Sequence, residues 1–149
     1  MMATLQIVLL FGMVALSYSR YLTNLYNSQV RYAEYYKRPL SGSSSGSSRK
    51  RSLGWYYHVY HTGVVVTTTD GSRWLIHKGD GYGENWDTVI TNAGYMSSRW
   101  TRMKCGTVSG HTVNDFMQAG RIDCDYNVWT CNCQHASKGM WRLVTEVRC

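Results

Sequence analysis

Apolar and polar positions follow two regular patterns in the C-terminal two-thirds of the chain. Residues 55–69 are dominated by tyrosine, valine and threonine, a composition that suits a pleated strand. Asp70-Gly71 follows as a hairpin signal, and residues 72–78 (SRWLIHK) supply the return strand. Residues 88–91 and 99–104 read as two further short strands. The period then changes. Residues 112–119 predict a short helix, with Thr112 as N-cap, Asp115 closing an acidic variant of the capping box, and Gly120 past the end. Asn132 predicts the N-cap of a second helix, in which Ala136, Met140, Leu143, Val144 and Val147 recur at three- and four-residue steps. Cys133 falls on the inward face of that helix and in its first turn, where unpaired N–H groups and the helix dipole favour a thiolate.

The N-terminal third is less regular. Residues 5–16 form an uncharged apolar run of signal-peptide length, and Ser17-Tyr18-Ser19 sets small residues for cleavage after Ser19. Residues 20–40 carry five tyrosines with partial helical spacing at Tyr21, Leu25, Tyr32 and Tyr36, which reads as a weak helix or a loosely ordered arm. A flexible linker, SGSSSGSS at 41–48, leads into Arg49-Lys50-Arg51, either a processing step or a solvated charge run. The expected organisation is a signal peptide over 1–19, a basic Tyr/Ser-rich arm and linker over 20–52, and one domain over 53–149. With 149 residues in all, the folded part of roughly 100 residues holds one modest core and excludes a TIM barrel or a large doubly wound sheet.

Charge sharpens this division. The net charge is +7, but residues 20–52 hold seven basic residues against one acid, whereas residues 53–149 hold nine against eight. An anionic surface would therefore be met by the arm, and nothing marks a specific nucleic-acid site. A leader implies a secreted, extracellular protein. All five cysteines (Cys105, Cys124, Cys131, Cys133 and Cys149) lie in the last third of the chain, and an odd count leaves one thiol over in an oxidising compartment. With Cys133 as the odd one, the other four allow three connectivities.

Candidate chemistry centres on Cys133, His61 and His77. A nucleophilic thiol needs a low pKa and a base within hydrogen-bond reach. With a two-residue loop, His61 and His77 face opposite ways. With a three-residue loop 69–71 and Gly71 as a left-handed bulge, position 77 lies opposite 63, and the two imidazoles become diagonal neighbours on one face. Cys131-x-Cys133-x-His135 lacks zinc-ligand spacing, and the glycine-rich residues 79–87 lack the Gly-Lys-Ser/Thr ending of a phosphate loop, so no metal or organic cofactor is implied.

Three motifs in this order, Tyr60-His61-Thr62-Gly63-Val64-Val65-Val66, then Leu75-Ile76-His77-Lys78-Gly79, then Asn132-Cys133-Gln134-His135, resemble the circularly permuted papain-like thiol hydrolases, a group that includes the NlpC-type and lecithin–retinol acyltransferase-like enzymes. The resemblance implies an α+β fold, a curved antiparallel sheet of about four to six strands packed against a helix that starts at the nucleophile. It implies Cys133 as nucleophile, His61 as general base and His77 as the third polar residue, acting on an acyl or amide substrate. A secreted cysteine-dependent acyl hydrolase or acyltransferase is the leading expectation. A peptidoglycan or peptide amidase on the same site, or a non-enzymatic secreted cationic binding protein, is the alternative.

Overall fold

In the computed structural model, residues 2–39, 60–79, 88–127 and 129–149 are described. The expected linker, the Arg49-Lys50-Arg51 step and most of the glycine-rich loop lie outside them. Among the described residues six strands form one antiparallel sheet, β1 (Val30–Pro39), β2 (Tyr60–Thr68), β3 (Arg73–Lys78), β4 (Thr88–Asn92), β5 (Thr101–Thr107) and β6 (Thr145–Val147), in the order β4-β3-β2-β1-β5-β6. With helices α1 (Met2–Asn27), α2 (Val113–Ala119) and α3 (Cys133–Trp141) they make a mixed α+β fold.

Strand alternation decides what each face of the sheet carries. One face presents Ala33 and Tyr35 of β1, Val64 and Val66 of β2 and Ile76 of β3. These pack with Val113, Phe116, Met117 and Met140 of α2 and α3 to form the core. The last turns of α1 join it through Leu25 and Tyr26. The opposite face carries Glu34, His61, Val65, Leu75 and His77, all buried as well. Burial on both faces explains why β2 reads as a near-continuous run of valine and threonine rather than as an alternation.

The β2–β3 turn takes the three-residue form. Thr68 N donates to Ser72 O at 3.0 Å, Gly71 N donates to Thr68 O at 3.0 Å, and Gly71 has φ +88°. A left-handed residue there favours glycine. The register that follows sets Gly63 opposite His77. Thr112 and Asp115 make the reciprocal capping box of α2. Beyond it, the buried Lys78 of β3 donates from Nζ to the carbonyls of Arg121 at 2.9 Å and Cys124 at 2.5 Å, tying the loop before α3 to the sheet.

Three elements depart from expectation. Residues 20–40 are helical only as far as Asn27, where α1 ends after running unbroken through Ser19 and Arg20, and the rest is not an arm: β1 lies between β2 and β5 near the middle of the sheet. The body of the protein therefore begins well before residue 53. Tyrosines on both faces of β1 had masked its alternation, because each packs at one end and is polar at the other. The second predicted helix stops at Trp141, and Val147 sits in β6, paired with Cys105 of β5. Among the described residues no helix is long and apolar enough to cross a membrane.

Candidate functional site

His61 and His77 do meet. His61 Nε2 and His77 Nδ1 are 2.9 Å apart, with the rings nearly perpendicular at 86°. The Trp100 indole packs against both, at 5.5 and 6.2 Å between centroids, and the Arg38 guanidinium lies 5.0 Å from the indole centre. Burial, aided by His77 and Arg38, lowers the His61 pKa to about 3. Burial and Arg38 lower that of His77 to about 4. The pair is therefore neutral at physiological pH, one ring donating and the other accepting. Gly79 lets the chain pass close by: a Cβ there would come within 2.5 Å of His61 Cε1.

Cys133 opens α3. The Asn132 side chain caps the helix, its Oδ1 accepting from Gln134 N at 2.9 Å and His135 N at 3.1 Å. The thiol is buried, and its Sγ lies 3.7 Å from the main-chain oxygen of Tyr60. Here the strand alternation becomes decisive. Helix α3 packs on the face that carries Tyr60, Thr62, Val64 and Val66. His61 and His77 project from the other face, with Gly63 and Val65. The sheet separates thiol from imidazoles, and the His61 Nε2 that would serve as base is engaged by His77.

The remaining cysteines offer no substitute, because Cys105–Cys149 and Cys124–Cys131 are disulfides. A Cys133–His61–His77 catalytic site is thus not assembled, since a base must stand within hydrogen-bond reach of its nucleophile. This overturns the cysteine hydrolase or acyltransferase reading, the amidase reading on the same residues, and the resemblance to the permuted papain-like thiol hydrolases. No family model, no curated protein and no solved structure matches the chain.

What the structure builds around α3 is a cleft. It encloses about 480 Å³ between β1, β2, β5 and the outer side of α3. Lys37, Lys104, Lys138 and Arg142 surround it, Tyr35, Tyr60, Met103 and Trp141 line it, and no acidic residue does so among the described residues. Lys37 Nζ lies over the Tyr60 ring at 4.8 Å, and Lys104 Nζ over Trp141 at 5.9 Å, so two of the cations rest on the aromatic walls. Lys104 also pairs with Glu146 at 3.1 Å.

The floor is polar. Burial holds the Tyr35 phenol above its ordinary pKa. The Thr62 and Ser137 hydroxyls are buried beside it. Sequence reasoning missed this cleft. Its readable trace is Gln134, Lys138 and Trp141, spaced at four and three residues along the outer side of the helix, with Arg142 next to the last of them.

Proposed function

We propose that this protein binds small amphipathic organic anions, an acyl carboxylate being the simplest, in the cleft beside α3. One observation carries the reading: four cations surround an aromatic-lined cavity that, among the described residues, no carboxylate lines. Its volume is within the range of small-molecule sites, and its make-up, mostly apolar with a few polar groups, is typical of them. The apolar body of the ligand rests on Tyr60 and Trp141. Its charge meets Lys138 and Arg142. Two disulfides support an oxidising, extracellular setting for this activity.

Titration of the whole protein with decanoate and decanol, followed by tryptophan fluorescence, tests the reading. We expect saturable binding of decanoate, and weaker binding of decanol by at least about tenfold. Replacing Lys138 and Arg142 together by alanine is expected to remove that preference. Equal binding of acid and alcohol by the wild type would sink the proposal.

A further inference from the structure

On the opposite face of the sheet a second cavity, about 600 Å³, is lined by Arg31, Tyr32, Glu34, Tyr36, Arg73 and Arg102, with two threonines at its edge. Its centre is Glu34, 5% exposed in the middle of β1. Glu34 Oε2 accepts from Arg73 Nη2, and Oε1 accepts from Arg102 Nη1 at 2.8 Å. A buried carboxylate loses hydration, and one guanidinium suffices to balance its charge. Here two converge on it from β3 and β5, each with a side chain still 48% exposed. Each guanidinium has five N–H donors, and its bond to Glu34 uses one of them. Arg31, at the bulge between Val30 and Tyr32, adds a third cation to the same cavity. Among the described residues, three arginines against one glutamate leave two positive charges in a cavity flanked by two phenol rings.

We propose that this face holds a phosphate monoester, preferably of an aromatic alcohol, with Arg73 and Arg102 gripping its oxygens and Arg31 closing over them. A phosphate monoester carries close to two negative charges at pH 7, which matches the excess, and planar guanidinium forks suit its oxygens. Glu34 acts here as a positioning residue, fixing two flexible side chains before the ligand arrives. Tyr32 and Tyr36 flank the ring of the ester. The site is separate from the cleft beside α3, which lies across the sheet.

Calorimetry of the intact protein with phenyl phosphate and phenyl sulfate tests the assignment. We expect saturable binding of phenyl phosphate that weakens as salt rises, with phenyl sulfate weaker by about tenfold because it carries a single charge. Arg31→Gln leaves the Glu34 ion pairs intact and is expected to weaken phenyl phosphate by about tenfold, and Arg73→Gln by at least as much. Lys138→Ala with Arg142→Ala should leave it unchanged. The proposal is overturned if the wild type shows no saturable binding, if sulfate and phosphate bind equally, if Arg31→Gln has no effect, or if binding is lost with the Lys138 and Arg142 changes instead.

Discussion

Two imidazoles held neutral by burial make His61 and His77 sensitive to acid through the unfolded chain. Their folded pKa values, about 3 and about 4, lie below the ordinary 6.5. Below pH 6.5 the unfolded chain therefore binds protons that the folded chain refuses, and stability falls as pH drops toward the folded values. Each imidazole contributes at most about 1.4 kcal/mol per pH unit in that window. We expect urea midpoints to drop between pH 6.5 and 4, and His77→Gln to flatten the drop by roughly half. Cys133 should behave as a buried thiol. A thiol reagent should find almost none in the native protein and one after unfolding, and His61→Ala should leave the pH profile of Cys133 labelling unchanged. Identical profiles are expected because the strand lies between the two groups. The diagonal meeting of the two histidines was legible as one of two alternatives, since loop length sets hairpin register and the sequence left a two-residue and a three-residue loop open. Their relation to Cys133 was not, because no local pattern says which face of a sheet a distant helix will cover.

Helix α3 is held at close quarters. A Cβ at Gly139 would stand 2.1 Å from the backbone oxygen of Ala119, at the end of α2, so neither helix can yield without moving its main chain. We expect Gly139→Ala to cost about 2–3 kcal/mol in urea unfolding and to weaken decanoate binding, because α3 forms one wall of the cleft. Thr112→Ala removes one half of the capping box of α2 and should cost about 1 kcal/mol by the same measurement. Both helix starts were legible, since a cap is a local arrangement of a few residues. Strand β1 was not: Tyr32 and Tyr36 face one way and Tyr35 the other, so hydrophobicity does not alternate along it. Strand β6 was hidden for another reason. Its three residues become a strand only because β5 lies beside them and Cys149 is bonded to Cys105. The cleft inherits both difficulties, drawing walls from β1, β5 and α3.

At the scale of the molecule, Cys105–Cys149 closes a loop across 44 positions. Loop-closure entropy makes it worth up to about 4 kcal/mol, so Cys149→Ser should lower the urea midpoint strongly. Both disulfides lie within residues 105–149, and neither ties that part to β1. Yet β1 joins β2 on one edge to β5 on the other, and Val30 and Ala33 are in the core. Cutting at Arg49-Lys50-Arg51 would therefore not discard the N-terminal segment. It would turn one polypeptide into a self-assembled pair, with α1 and β1 serving as a subunit that the larger fragment cannot lose without opening its sheet. We expect protein nicked there by a dibasic-specific protease to elute as one species in buffer and run as two bands in denaturing gels without reductant. Its unfolding should then become dilution-dependent, as dissociation is, whereas the uncut chain unfolds alike at every concentration.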